Sequence, residues 1–375
     1  MGKLKHRTFN ADRFLDKFQG QEIILRSFVG LWDGRLGLDT TSLDVPHFKE
    51  YLVNGDGDGK DDLLESLYMA YDLCTERGHE DLVSACDECS YSPNGNGELP
   101  VECLSLKVRT ENEDAFTLAY DRYNLWRAER FTIFSGKSAA GIVDAGAASS
   151  AFQAKLAEIF KDHKNSDRVL VRHYQEGAYT NFIVYHEKRV KAELIFKGTR
   201  MRPKVSPTIL RPAQQDFISY NNETGQLEIE AGFEKEETAL RKAFAECCLK
   251  DEDFFDSPGS SDRLNLARIA EDDFEMPVDE DHSAFLAELH FNIKQTHGPS
   301  FVVRSKNVME TLEKNYLRKR LAGGTIRRAV FKIMFPDDRR GKRIELYGTN
   351  KVKFKRATHA EDVFRYLKNW GIVID

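Results

Sequence analysis

Between residues 168 and 230 the chain repeats one pattern: short runs rich in Val, Ile, Tyr and Phe, each followed by a brief polar turn. The runs are 168–174, 179–186, 189–196, 216–220 and 226–230. The turns include Glu176-Gly177, Glu187-Lys188 and Asn222-Glu223-Thr224-Gly225. A parallel crossover needs roughly a dozen residues or more, so most of these connections fit only antiparallel neighbours. The pattern therefore predicts an α+β chain built on an antiparallel sheet, not a doubly wound one.

What flanks that core reads differently on each side. Residues 9–90 carry apolar side chains at helical spacing: Phe14, Leu15 and Phe18; Leu25, Phe28 and Trp32; Phe48, Tyr51 and Leu52; Leu63, Leu67, Tyr68 and Tyr71. Residues 90–100 are mostly Ser, Pro, Asn and Gly, the composition of a linker. Residues 101–108 alternate and predict a strand, while 114–130 and 233–249 predict helices. Residues 250–282 hold twelve Asp and Glu against Lys250, Arg263 and Arg268, a second linker by charge. The expected organisation is a helical domain (1–90), an α+β antiparallel-sheet domain (101–250), an acidic linker (251–282) and a basic C-terminal module (283–375).

In that last module, helices are expected around Leu286, Leu289 and Ile293, and from a Ser305 cap through Leu317. Strands are expected over 325–335, 343–347 and 351–355, and a helix capped by Thr358 closes the chain. Residues 301–375 contain 19 Lys and Arg against 8 Asp and Glu, whereas residues 1–300 contain 36 against 53. A basic end on an acidic chain predicts a polyanionic partner. The candidate nucleic-acid-binding residues are Arg318, Lys319, Arg320, Arg327, Arg328, Arg339, Arg340, Lys342, Arg343, Lys351, Lys353, Lys355 and Arg356. Neither a helix-turn-helix turn nor an RNP-type aromatic pattern is present, so no particular groove is implied.

Four motifs touch on chemistry. Residues 54–65 place oxygen ligands at EF-hand positions 1, 3, 5 and 9, Gly59 at 6 and Glu65 at 12. Asn54 stands where Asp is usual and Asp61 where an aliphatic is usual, so the expectation is no calcium. Cys86 and Cys89, with Cys74, His79 and Cys103, could supply zinc ligands, but Cys74 and Cys86 fall on apolar helix faces and read as buried thiols. Ser135-Gly136-Lys137-Ser138 resembles the tail of a P-loop, with Phe131 where its first glycine belongs. His173 and His186 lie on adjacent expected strands near Glu187 and Glu193, as cross-strand partners or an acid/base pair. Glu193 with Lys197, and Glu288 with Lys294, miss the Glu-x-Lys spacing of common metal-dependent nucleases. No complete catalytic set assembles, and no metal or cofactor is implied.

Residues 209–213 and 216–220, followed by 225–229, resemble segments of uncharacterised bacterial proteins found with phage-defence genes. The resemblance spans residues 209–255. It implies a setting in antiviral defence and no activity.

No run reaches the ~20 apolar residues of a membrane span. The basic start of the chain lacks the apolar stretch of a secretory signal, and six cysteines in 375 residues suit reduced thiols. The cytoplasm is the expected compartment, with no membrane partner. The function expected first is a binding or regulatory subunit that contacts nucleic acid. The alternatives are an adaptor docking a protein partner in a larger assembly, and a nuclease with an unrecognised site.

Overall fold

Four of the five expected runs join one antiparallel sheet that is larger than the repeats of 168–230 alone, while the fifth, found as Lys191–Lys197, lies outside it and Tyr179–Glu187 pairs instead with Ala213–Asn221. The structure is a computed structural model describing residues 8–93, 99–164, 166–188, 190–197, 204–293, 297–356 and 358–374, with backbone alone at 163, 164, 195–197, 320 and 322. The chain divides into two compact units, with the division between Arg127 and Ala128.

The first unit is helical: α1 (Ala11–Leu15), α2 (Glu22–Val29), α3 (Val45–Asn54), α4 (Lys60–Asp72), α5 (Glu76–Glu88), α6 (Val101–Glu111) and α7 (Glu113–Arg127). Asn10, Asp44 and Thr75 cap three of these, each side chain accepting a backbone N–H of the first turn. Phe14, Phe18, Leu25, Phe28, Phe48, Leu63, Leu67, Leu82 and Phe116 share one core. The expected strand at 101–108 is instead α6. Its Cys103, Leu104, Ser105, Leu106 and Val108 are all buried, and Ser105 Oγ donates to Ala70 O at 2.9 Å. A helix buried on most of its circumference loses the 3.6-residue signature, and its apolar positions then mimic alternation. The expected boundary at 90–100 thus joins α5 to α6 within one unit. Residues 94–98 lie outside the described residues.

The second unit comprises β1 (Arg130–Ser135), α8 (Ala145–Lys164), β2 (Val169–Glu176), β3 (Tyr179–Glu187), β4 (Lys191–Lys197), β5 (Lys204–Leu210), β6 (Ala213–Asn221), β7 (Gln226–Glu230), α9 (Glu234–Leu249), β8 (Ser283–Ile293), β9 (Ser300–Arg304), α10 (Val308–Lys314), α11 (Arg318–Ala322), β10 (Gly324–Phe335), β11 (Asp338–Tyr347), β12 (Lys351–Lys353) and α12 (Ala360–Asn369). Ten strands form one sheet in the order β2-β3-β6-β7-β1-β12-β11-β10-β8-β9, while β4 and β5 pair as a separate hairpin. The described pairings are antiparallel, so the fold is α+β. β1 bridges β7 and β12, which makes the expected central domain and basic module two halves of one sheet.

β8 replaces the expected helix around Leu286, Leu289 and Ile293. Opposite Val330 and Phe331 the register skips Ala287, so Leu286 and Leu289 both face the core despite their three-residue spacing. The bulge gives a strand the periodicity of a helix. Downstream, Asn307 rather than Ser305 caps α10, and His359 rather than Thr358 precedes α12.

The acidic segment is not a linker. Phe254, Phe255, Leu264, Leu266, Ile269 and Phe274 are buried, and Leu264 bridges to Val373. Trp370 Nε1 donates to Pro277 O at 2.9 Å. Asp279 accepts from Tyr366 at 2.7 Å and from Arg365 at 2.8 Å, while Arg268 holds Glu271 and Asp273. Its charges are largely exposed, and they dominate the composition while the apolar residues fix the path.

Candidate nucleic-acid interface

One row of side chains crosses the sheet and changes character on the way. Pairing aligns Phe182, Ile218, Ile229, Thr132, Lys351, Tyr347, Arg328 and His290 on successive strands. Phe182, Ile218 and Ile229 pack in a core with Phe152 and Leu156 of α8 and Phe244 of α9. Glu237 of α9 marks the edge of that cover: Thr132 Oγ1 donates to its Oε2 at 2.6 Å, and Lys351 Nζ lies 3.7 Å from the same oxygen. Beyond it the row is polar. The opposite side of this half-sheet packs Leu286, Phe331, Ile333 and Leu346 against Leu312 of α10 and Tyr366 and Trp370 of α12. Those helices pack on the side opposite the polar side chains of β8–β12.

Two carboxylates organise the polar side. Glu288 meets Arg328 at 2.7 Å, Arg304 at 2.9 Å, Arg343 at 3.5 Å and His290 at 2.6 Å. Glu345 meets Arg328 at 2.6 Å, Arg343 at 3.2 Å and Lys353 at 3.8 Å, and the Tyr347 hydroxyl donates to it. Burial pushes the Glu345 carboxyl upward, but Tyr347, Arg328, Arg343 and Lys353 outweigh it and hold it down at about 2. Burial acts the same way on Glu288 and is likewise outweighed, chiefly by His290 and Arg304. Arg304, Arg328, Arg343 and Lys353 thus gather around two carboxylates, and Lys332 lies beside Arg343 in the register. Arg304 is 67% exposed and Arg343 52%, so the excess positive charge reaches solvent. The Arg328 guanidinium also lies 5.1 Å from the centre of the Tyr347 ring.

The sequence-derived candidates fall into three groups. Arg328, Arg343, Lys351 and Lys353 come together on this face. Arg327, Arg339, Arg340, Lys319 and Lys355 are exposed elsewhere: Arg327 at a bulge in β10, Arg339 and Arg340 by the β10–β11 turn, Lys319 on α11 and Lys355 after β12. Arg318, Lys342 and Arg356 serve the fold. Arg318 donates to Glu313 and to the carbonyls of Glu271 and Asp272, and Lys342 donates to Thr358. Arg356 is paired with Glu228 and lies 3.8 Å from the Phe131 ring centre, 12% exposed. The Arg320 side chain lies outside the described residues. Sequence reasoning missed His290 and Arg304, which lie on β8 and β9 where no strand was expected, and Lys332, whose place here follows from its register opposite Arg343.

No protein-family model matches the chain, and no curated protein matches it significantly.

The other motifs resolve locally. Gly136 N donates to Gly225 O, Lys137 pairs with Asp251, and the next helix starts only at Ala145. A P-loop needs free amides running straight into a helix, so Ser135–Ser138 is not one. His173 aligns with Phe182 and His186 with Val169, so the two histidines are not cross-strand partners. In the helical unit, Cys86 and Cys103 are buried, and burial pushes the Cys86 thiol up to about 11. Among the described residues, no helix is long and apolar enough to cross a membrane.

Proposed function

We propose that the polar side of β8–β12 binds single-stranded nucleic acid with little sequence preference, and that the chain is a binding or regulatory subunit. The supporting observation is the lattice of Arg304, Arg328 and Arg343 around Glu288 and Glu345. The carboxylates hold the guanidinium groups in place, so less side-chain entropy is lost when a phosphate arrives. The strands gather an excess of cations along one surface, as a phosphate backbone requires. Both carboxylates are engaged by arginines, which favours binding over acid/base chemistry here. The resemblance of 209–255 to proteins found with phage-defence genes fits a role near nucleic acid in bacterial defence.

The test is fluorescence anisotropy of a labelled single-stranded 20-mer with the full chain. Combining Arg304→Glu with Arg343→Glu should weaken binding more than about tenfold at low salt. Lys319→Glu, on α11, should change it less than about threefold. Equal affinities for the double variant and the unchanged protein would overturn the assignment to this face.

A further inference from the structure

Beneath α8 and α9, away from the cationic surface, three buried side chains from three elements converge. His186 is the penultimate residue of β3, Asp216 lies on β6 and Glu236 sits in the first turn of α9; one ligand atom of each lies within 4.8 Å of the others. His186 Nε2 is 2.8 Å from Asp216 Oδ2. Gln214, opposite His186 in the β3–β6 register, donates from Nε2 to Asp216 Oδ1 and Glu236 Oε2, at 2.7 Å each. Gly232 N donates to Asp216 Oδ1 at 3.3 Å. A Cβ on Gly232 would stand 2.5 Å from Gln214 Nε2, so the glycine is what admits the amide.

His186 Nδ1 lies 3.4 Å from Glu187 O, so with an ion bound the tautomer that donates from Nδ1 to that carbonyl would free Nε2 as a ligand; with no ion, Nε2–H donates to Asp216 Oδ2 at 2.8 Å. A cation between Nε2, Asp216 and Glu236 would replace the proton now shared by His186 and Asp216 and balance the charge of two buried carboxylates. Half a turn of the Gln214 amide replaces its Nε2 with a carbonyl oxygen, a fourth donor.

We propose that His186, Asp216, Glu236 and Gln214 bind one divalent transition-metal ion, Zn²⁺ or Mn²⁺, that fastens α9 to the sheet. One imidazole with three oxygens suits these borderline and hard ions. His186 and Asp216 are at most 2% exposed, so the site is closed and its role structural, with the metal entering as the unit folds.

The experiment unfolds the full chain with a chelator, removes both, and refolds it with Zn²⁺, with Mn²⁺ or with neither, followed by elemental analysis and thermal unfolding. One equivalent per chain and a higher Tm with one of the ions is expected. Asp216→Asn and Glu236→Gln, which keep the side-chain shape, should each weaken that binding more than about a hundredfold, since even residues supporting a ligand cost 10- to 100-fold. Unfolded thiols also bind metal, so Cys86→Ser with Cys89→Ser is included and should leave the stoichiometry unchanged. A chain that takes up neither ion would overturn the proposal, leaving a His186–Asp216 ion pair closed by Gln214. So would metal retained in full by both carboxylate variants. A variant that fails to refold leaves the uptake of the unchanged chain as the deciding result.

Discussion

Arg328 on β10 reaches across to Glu345 on β11 at 2.6 Å while its other terminal nitrogen holds Glu288 on β8 at 2.7 Å. One guanidinium thus ties three adjacent strands together on the side that carries the excess positive charge. The contact would couple stability to the binding proposed above, because the groups that position those cations also stitch the sheet.

That link has a pH signature. Glu345 sits at about 2 in the fold against an ordinary 4.5, so the folded state binds the proton less well than the unfolded chain. Its contribution is complete above about pH 4.5 and is lost as the pH falls from there towards 2. Glu345→Gln should cost about 1–2 kcal/mol at pH 7, with most of the difference gone by pH 2.5, allowing for solvent screening. Urea unfolding at the two pH values reads this out, and a penalty unchanged with pH would contradict it.

Gly232→Ala should destabilise the second unit by about 1–3 kcal/mol, the cost of displacing a buried amide from its partners. The new Cβ would meet three atoms of the Gln214 amide at 2.5–3.0 Å. Thermal unfolding checks this, and a variant as stable as the parent would show that Gln214 moves aside freely.

The loop between α3 and α4 should not bind calcium in the micromolar range. Lys60 Nζ donates to Gly55 O at 2.6 Å, which puts an ammonium among the would-be ligands, and Asp62 is paired with Arg35 at 2.7 Å. Calorimetric titration should give no saturable heat below about 1 mM. A micromolar dissociation constant would contradict this reading.

How much of this the sequence carried depends on what each residue's signal records. The central strands were legible because their turns are short and their alternation is clean; β5 was missed, its residues 204–210 holding Pro207 and no clear alternation. α6 and β8 were misread for opposite reasons, a helix too buried to show its period and a strand whose bulge borrows one. Charge composition located the basic half but could not separate Arg343, at the surface, from Arg356, stacked on Phe131. His186 drew attention on its own strand, but Gln214, Asp216 and Glu236 lie 28 or more positions along the chain, and only the β3–β6 register and the first turn of α9 bring them together.

The measurement that tests the central claim most directly is the salt dependence of single-stranded oligonucleotide binding by the full chain. Three to five phosphate contacts on the lattice predict that log K falls with log salt at a slope of about −2 to −3.5. Adding Arg304→Glu and Arg343→Glu should flatten that slope by at least about 1. Absence of binding at 50 mM salt, or a slope near zero, would contradict the account of this face.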